Sequence, residues 1–372
     1  MQIHRLAFIG VRGHISTVLR ELPNHPAVRI VGYCDGGGEP ADPIRTWCQQ
    51  HGHHAQPFDH YLRMFDEAKP QAVVICGAFD QHAQMAIDAI ERGIHVLTEK
   101  PAALTFDDLH RLSATHAAFP EVHLSSLQTA RHQKSFYTAW KLVREGAIGD
   151  VRLINARKSY RRGVRGPFYD RRETYGGTIP WVGSHAIDWM LWIGGHAVRS
   201  AYATHSTIAN GGHGTMESTA ACHFNLCGER VATISIDVLR PANAPTHGDD
   251  WLRVVGTDGV LQVTANDVHL INDQNDGVRP VALETVPTLL EDFLAQIEGR
   301  ATTLNPTADV FATTAACLLA RQAADEQRVI EAGELTSVRI KAVRTEPRPS
   351  QSLPPQITVT SHLKSKPAAT AI

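Results

Sequence analysis

Residues 5–14 read Arg-Leu-Ala-Phe-Ile-Gly-Val-Arg-Gly-His, an apolar run that ends in a glycine-containing turn. The run predicts a buried strand over Arg5–Ile9, and Ile15–Leu22 continues as an amphipathic helix. Gly10 permits the tight turn between them. Gly13 allows the backbone to approach a phosphate, whose charge the helix amino terminus favours. The stretch therefore predicts the first strand, loop and helix of a dinucleotide-binding sheet.

The loop departs from the full G-x-G-x-x-G pattern, because Arg12 and Ile15 occupy the second and third glycine positions. Asp35 ends the second predicted strand, where a carboxylate can bind both ribose hydroxyls of NAD and repel a 2′-phosphate. No basic residue follows Asp35, so we predict NAD, with NADP as the less favoured cofactor. Arg12 argues the other way, since its guanidinium could bind a phosphate. A plain glycine turn beside a solvated aspartate remains the alternative.

The first 125 residues alternate between strand-like and helix-like patterns. Later strands are predicted at Val28–Cys34, Ala72–Cys76, Ile94–Leu97 and Val122–Ser126, and helices at Pro40–Gln50, Phe58–Ala68, Gln81–Arg92 and Phe106–Ala118. Strict alternation of this kind predicts crossover units, hence a doubly wound parallel sheet with helices on both faces.

Strands predominate after residue 125. They are predicted at Val151–Ser159, Val198–Ser206, Ser218–Phe224, Arg230–Leu239, Trp251–Val255, Val260–Val263 and Val268–Ile271, with helices at Phe136–Glu145, Ile187–Ile193, Leu289–Gly299 and Asp309–Ile330. This pattern predicts an α+β domain with an open, largely antiparallel sheet and helices on one face. The fold class is α/β, with a Rossmann domain at 1–125, a substrate-binding and oligomerisation domain at 126–343, and an irregular tail at 344–372.

Composition narrows the class of protein. Hydrophobic residues make up 43% and charged residues 20%, and the formal net charge is −2. These values are ordinary for a globular protein and favour neither nucleic acid nor a membrane as partner. The six cysteines form no Cys-x-x-Cys pair. The run His51-Gly52-His53-His54 suits either a metal site or a polar loop before a strand, and the loop is favoured because no cysteine or carboxylate lies at ligand spacing beside it. We expect a reducing compartment, no metal, no signal peptide and no membrane span, hence a cytoplasmic location.

Glu99-Lys100-Pro101 follows a predicted strand and precedes a helix. Proline has no N–H and restricts the residue before it, so Lys100 is held in an extended pose. A lysine in a partly closed site has a depressed pKa and can share a proton with a substrate hydroxyl. The alternative is an ordinary surface lysine in a strand-to-helix loop.

The chain resembles the Gfo/Idh/MocA family of NAD(P)-dependent sugar and cyclitol oxidoreductases. The matching pieces are the Gly10–Gly13 loop, Asp35, Glu99-Lys100-Pro101 and the run Gly176-Gly177…Gly183-Ser184-His185-Ala186-Ile187-Asp188. The resemblance extends from residue 1 to about 340. It implies an active site between the two domains, Lys100 as the catalytic lysine and His185 as the substrate-side histidine. The predicted cofactor contacts are Gly10, Arg12, Gly13, His14, Asp35, Glu99, Lys100 and Pro101.

One residue departs from the family pattern, because many members have an aspartate four residues before the histidine and this chain has Trp181. Two residues four apart share a helix face, so that aspartate would lie beside His185. Trp181 cannot accept a proton but can offer an aromatic wall and one N–H donor to a sugar ring. Asp188 could orient His185 instead, although the resemblance implies a structural role for it more often. The proton acceptor is then His185 with Lys100, or a residue that the sequence does not identify.

An arginine-rich segment precedes the Gly-Gly turn. It contains Arg161, Arg162, Arg165, Arg171 and Arg172, and it suits either a clamp on a substrate carboxylate, phosphate or sulfate, or a solvated loop. By resemblance, Arg131 lies near cofactor and substrate. The predicted substrate contacts are Arg131, Arg171, Arg172, Trp181, His185 and Asp188.

Three hypotheses of function follow. The first is an NAD-dependent oxidoreductase acting on a secondary hydroxyl or keto group of a sugar, cyclitol or related polyol. The arginine-rich segment allows this substrate to be anionic. The second is a redox-neutral enzyme that cleaves glycosides by oxidation and elimination on the same scaffold. The third is a catalytically silent ligand sensor. By resemblance we also expect a homo-oligomer, a dimer or a tetramer.

Overall fold

Two β-sheets dominate the computed structural model, which describes residues 5–37, 39–274 and 276–334. The first sheet consists of β1 (Arg5–Ile9), β2 (Arg29–Cys34), β3 (Gln56–Pro57), β4 (Ala72–Ile75), β5 (His95–Thr98) and β6 (Leu124–Ser126). All its strand pairs are parallel, and their order is β3-β2-β1-β4-β5-β6. The strand order reverses between β1 and β4. In open parallel sheets, ligands bind in the crevice outside the carboxyl ends of the strands at such a point.

The helices of this first half lie between its strands in the sequence. They are α1 (Ile15–Glu21), α2 (Asp42–Gln50), α3 (Tyr61–Ala68), α4 (His82–Ile90) and α5 (Phe106–Ala118). Thr105 caps the start of α5, since its hydroxyl accepts a hydrogen bond from the Asp108 amide at 3.1 Å. The prediction of a doubly wound parallel sheet is confirmed by this order of elements.

The second sheet has nine strands. They are β7 (Val151–Ser159), β8 (Val198–Ser206), β9 (Thr219–Leu226), β10 (Arg230–Asp237), β11 (Trp251–Gly256), β12 (Gly259–Thr264), β13 (Val268–Asn272), β14 (Arg279–Pro280) and β15 (Ile330–Glu331), in the order β14-β13-β12-β11-β7-β10-β9-β8-β15. Only β7 and β10 are parallel to each other; the other pairs are antiparallel. Buried and exposed residues alternate along β9 and β10, so one face of the sheet carries the core. The predicted open, largely antiparallel sheet is therefore confirmed.

Five α-helices follow the first sheet within the described residues. They are α6 (Lys134–Arg144), α7 (Arg172–Tyr175), α8 (Ser184–Gly194), α9 (Leu289–Ile297) and α10 (Thr307–Glu326). Of these, α6, α8 and α10 pack against the second sheet, whereas α9 packs against the first half. Along α10, Phe311 and Leu318 pack in the core of the first half, whereas Cys317 and Ala320 pack in the core of the second. This helix therefore joins the two hydrophobic cores.

The predicted end of the last helix is wrong. The sequence pattern extends it to Ile330, but α10 ends at Glu326 because Gln327 adopts a left-handed backbone with φ of 52°. Ile330 then pairs with Ala201 at the edge of the second sheet. The predicted tail, 344–372, lies outside the described residues, and the predicted domain boundaries stay predictions. Among the described helices, none combines the length and the apolar character needed to cross a membrane.

The packing of α9 yields a test of the fold. Phe293 is buried with Leu6 and Phe8 of β1, although nearly 300 residues separate them in the sequence. We expect Phe293→Ala to lower the free energy of unfolding by about 3–5 kcal/mol, because it removes a buried aromatic ring and leaves a cavity. Urea denaturation measures the change. Val278→Ala, at a side chain that is exposed, is the control and should change stability by less than about 0.5 kcal/mol. Equal effects of the two substitutions would contradict this packing.

Candidate functional site

The loop after β5 places Glu99 and Lys100 at the carboxyl edge of the parallel sheet. The Lys100–Pro101 peptide bond is cis, and the Glu99 amide donates to the Ile75 carbonyl of β4 at 2.7 Å. Lys100 is 3% exposed, and its Nζ donates to the Trp181 carbonyl at 2.5 Å. The lysine of the first half thus reaches the segment of the second half that precedes His185.

Glu99 is fully buried and organises the neighbouring loop. Its carboxylate accepts hydrogen bonds from the His14 amide at 3.1 Å and from His14 Nδ1 at 2.9 Å. It also lies 3.7 Å from Lys100 Nζ. Gly13 has a φ of 67°, and a Cβ there would lie 2.4 Å from the Glu99 carboxyl carbon. Glycine at position 13 therefore also makes room for this carboxylate, a role that the loop pattern alone did not predict.

His185 lies in the first turn of α8 and is 1% exposed. Its ring meets the His14 ring edge-on, with the centroids 5.2 Å apart. Neither His185 ring nitrogen has a hydrogen-bond partner in the described part of the chain. A buried imidazole without partners is costly in an apo protein, and it is typical of a position that a ligand completes. The two predicted catalytic residues are therefore connected through His14 and Glu99. We call Lys100, His185, His14 and Glu99 the junction.

Burial and charge set the protonation of this junction. Burial lowers the pKa of Lys100 to about 8; Lys158 acts in the same direction, and Glu99 opposes it. Burial, then the charges of Lys100 and Lys158, lower the pKa of His185 well below its usual range. Burial alone would raise the pKa of Glu99, but His14 and Lys100 outweigh it and hold that pKa below its ordinary value. At neutral pH, Glu99 is ionised and His185 is a neutral proton acceptor.

A buried ion pair beside this junction escaped the sequence predictions. Lys158 Nζ lies 2.5 Å from Asp250 Oδ2, and Asp250 Oδ1 has no hydrogen-bond partner within the described residues. Trp251 pairs with Arg157 in the sheet, which brings Asp250 opposite Lys158. Strand alternation could have identified Lys158, since it has the same parity as the buried Ile154 and Ala156 of β7. No short-range pattern could have identified its partner.

Trp181 lies in a π-helical turn, Ile179–Gly183, that continues directly into α8 at Ser184. Its ring packs 4.7 Å from the Tyr169 ring, and it is the Trp181 carbonyl that contacts Lys100. A wall against substrate stays a prediction for this side chain.

Arg131 and Asp188, two of the predicted substrate contacts, face each other. Arg131 Nε and Nη2 donate to the Asp188 carboxylate at 2.9 and 2.6 Å, and both side chains are buried. Thr313 of α10 donates to the same carboxylate at 3.0 Å, and Asp309 accepts from Arg131 at 2.7 Å. Because Asp188 is bound to Arg131, the expectation that it orients His185 is wrong. This geometry gives both residues a structural role that ties α8 to α10.

The remaining predicted substrate contacts are also engaged elsewhere. Arg171 is mostly exposed and lies 3.9 Å from Glu173. Arg172 lies 3.3 Å from Glu217 and 2.7 Å from Asp325. Neither is brought to the junction of Lys100 and His185.

The loop after β1 suits a dinucleotide phosphate. Gly10 has a φ of 74°, and a Cβ there would lie 2.4 Å from the Cys76 carbonyl oxygen, so only glycine fits. The amides of Val11 and Gly13 make no hydrogen bond within the described residues and can bind an anion at the start of α1. Arg12 Nη2 lies 3.1 Å from Glu39 Oε1, and the guanidinium carbon of Arg12 lies 4.2 Å from the centre of the Phe168 ring. Asp35 is exposed at the end of β2. These residues fit a bound NAD or NADP.

Comparison with known proteins agrees with this fold and site. Residues 4–121 match the family described as "Oxidoreductase family, NAD-binding Rossmann fold", and residues 136–262 match its "GFO/IDH/MocA C-terminal domain". A solved Thermotoga maritima protein assigned to the oxidoreductases is 39% identical, with a TM-score of 0.84, over 88% of this chain and 99% of that chain. The fold and site thus define an NAD-binding oxidoreductase. The chain belongs to the Gfo/Idh/MocA family.

Two further relatives have more specific names but shorter matches. "Glycosyl hydrolase family 109 protein 2" of Akkermansia muciniphila is 31% identical over 40% of this chain and 32% of its own length. "D-glucoside 3-dehydrogenase" of Escherichia coli is 25% identical over 48% of this chain and 50% of its own. The chain spans about a third of the length of the first glycosyl hydrolase relatives that it matches.

A substitution tests the structural role of the Arg131–Asp188 pair. We expect Asp188→Asn to lower the free energy of unfolding by about 3 kcal/mol, because it weakens a buried ion pair while preserving side-chain shape. NADH affinity, followed by fluorescence, should stay within about twofold of wild type.

The control is an exposed pair, Arg63 and Glu67, whose atoms lie 2.5 Å apart. Glu67→Gln should change stability by less than about 0.5 kcal/mol. An Asp188→Asn protein of normal stability would contradict the structural role.

Proposed function

We propose that the protein is an NAD-dependent dehydrogenase acting on a secondary hydroxyl or keto group of a sugar, cyclitol or related polyol. The observation that carries this proposal is the meeting of Lys100 and His185, from different halves of the chain, around the buried Glu99–His14 pair. One of these groups is a cation that can donate a hydrogen bond, and the other is an unpartnered proton acceptor.

The roles follow from the chemistry of the two side chains. When bound, the nicotinamide supplies the carbon that takes or gives the hydride. His185 accepts the hydroxyl proton on a free ring nitrogen. Lys100, as the ammonium, donates a hydrogen bond to the same oxygen and stabilises the charge that develops there. Glu99 keeps the lysine charge in place, and His14 holds Glu99 against the loop.

The preference for NAD over NADP rests on charge near the ribose. Asp35 ends β2, and the nearby Glu39 already pairs with Arg12 at 3.1 Å. Two carboxylates in this region disfavour a 2′-phosphate, and pairing of Arg12 removes the cation that could have bound one.

The name of a relative supports the sugar class. The E. coli protein similar to this chain is a D-glucoside 3-dehydrogenase, which indicates a secondary hydroxyl on a pyranose ring as one substrate to test. We also propose a homo-oligomer, because the outward face of the second sheet exposes side chains such as Tyr202 on β8.

The pH dependence of turnover tests the role of Lys100. Its pKa of about 8 means that it carries a charge below pH 8 and loses it above. If the ammonium stabilises the reacting oxygen, kcat/KM for alcohol oxidation falls as the pH rises through about 8, with His185 neutral throughout. Lys100→Arg, which keeps its charge, should lose this alkaline decline. A rate that rises through pH 8 would instead make the neutral lysine the proton acceptor.

The direct test of the proposed function is turnover of a panel of sugars, cyclitols and sugar acids with NAD⁺, followed by NADH absorbance. We expect one substrate class to reduce the cofactor, and Lys100→Ala to lower kcat at least about 100-fold with NADH affinity retained. Lys141→Ala, at an exposed lysine of α6, is the matched control. Cofactor binding with no turnover of any substrate in either direction would favour the silent ligand sensor.

The redox-neutral alternative is kept because several relatives are named as glycosyl hydrolases of family 109. In this mechanism a sugar carbon loses a hydride transiently, and its neighbour becomes acidic and loses a proton. The glycosidic leaving group departs with a proton, water adds to the unsaturated sugar, and the hydride returns. Release of the aglycone from nitrophenyl glycosides, without net NADH formation and with cofactor retained through purification, would support this alternative. Stoichiometric NADH formation would contradict it.

A further inference from the structure

The arginine-rich segment before the Gly-Gly turn separates into residues with partners and residues without. Arg171 and Arg172 pair with acidic side chains, and Arg162 donates to the Ala209 carbonyl at 3.0 Å. Arg161 and Arg165 make no ion pair or side-chain hydrogen bond within the described residues, and the Nε of each is buried without a partner. A guanidinium with no acidic partner and a buried donor is costly unless a ligand satisfies it.

Aromatic rings hold Arg165 beside the junction. Its guanidinium carbon lies 5.0 Å from the centre of the Trp181 ring and 5.4 Å from that of Tyr169. Stacking on aromatic faces fixes a guanidinium while its N–H edge stays free for a planar anion. Trp181 is also the residue whose carbonyl binds Lys100 at 2.5 Å. One residue thus contacts both the catalytic lysine and this arginine.

The charges that act on Tyr169 and His247 also indicate that Arg165 lies near the catalytic groups. Burial raises the pKa of Tyr169, and the charges acting on its hydroxyl include Arg165, Glu99 and Arg12. Burial lowers the pKa of His247, and Arg165 and Lys158 lower it further. Arg165 is therefore close enough to act electrostatically on side chains that also feel the charges of Glu99 and Lys158.

We propose that Arg165 binds a carboxylate of the substrate, so that the oxidised sugar or polyol is a sugar acid. This inference rests on the proposed function and names its substrate class. A single guanidinium matches one carboxylate by two parallel hydrogen bonds, whereas a phosphate dianion calls for further cations. Two other cations of this region are committed, because Lys158 is paired with Asp250 and Arg12 with Glu39. Arg161 also has a buried Nε without a partner within the described residues, but only Arg165 of these two arginines lies over the Trp181 and Tyr169 rings there.

Binding to matched pairs of ligands tests the proposal without turnover. The probes are methyl glucoside with methyl glucuronide, and the corresponding galacto and manno pairs, each titrated calorimetrically into the NADH complex of the full chain. The members of a pair differ only in the carboxylate. We expect at least one uronide to bind about 10- to 100-fold more tightly than its neutral partner, the range for a charge-assisted hydrogen bond.

Substitutions assign the effect to Arg165. Arg165→Met keeps an unbranched chain against Trp181 and should abolish the preference for the uronide while leaving affinity for the neutral glycoside within about twofold. Arg171→Met, at an exposed arginine of the same segment, is the control and should retain the preference.

Three outcomes would overturn the proposal. The first is a wild-type protein that prefers no uronide over its neutral partner. The second is an Arg165→Met protein that keeps the preference. The third is an Arg165→Met protein that keeps the preference but loses affinity for NADH, which would assign Arg165 to a cofactor phosphate. If a uronide binds tightly but no hydride transfer is detected, the proposal of a carboxylate site stands and the proposed dehydrogenase function is contradicted.

Discussion

The buried carboxylate of Glu99 is the interaction on which the site depends. It accepts two hydrogen bonds from His14 and lies 3.7 Å from the ammonium of Lys100, so it fixes the start of α1 and Lys100 together. An isolated buried carboxylate would be unstable, but here the opposing charges are also the groups that the site needs. His14 then meets His185, and Lys100 meets the Trp181 carbonyl. Both contacts join the two halves of the chain, so they fix the positions of Lys100 and His185 relative to each other.

The sequence predicted the fold well where the signal was local. Phe106–Ala118 and Val151–Ser159 have the predicted bounds, because a side-chain cap in one case and a run of alternating residues in the other define them. Prediction failed where distant packing decides. The apolar face of α9 gives no indication that it completes the core beside β1, and the end of α10 depends on Gln327 adopting a left-handed backbone.

In the candidate site, too, the sequence predicted residues that belong to local motifs but not the contacts between distant residues. Lys100 and His185 were predicted because they occur in motifs, and the structure brings them together. Arg131 and Asp188 also occur in matching positions, yet 57 residues separate them and only the folded chain shows that they bind each other. Lys158 and Asp250 are 92 residues apart and meet through the register of β7 and β11. Motif spacing cannot distinguish a polar residue that serves a ligand from one that serves another side chain.

Position 181 shows why a departure from the family pattern can be tolerated. The π-helical turn directs the carbonyl of residue 181 to Lys100, and every amino acid has that carbonyl. The anchor of the lysine is therefore independent of the side chain, which is free to join the ring cluster with Tyr169 and to support Arg165. An aspartate at this position would place a carboxylate among these rings and compete for Arg165. Tryptophan instead leaves the guanidinium without an acidic partner among the described residues, and this is the basis of the proposed carboxylate site.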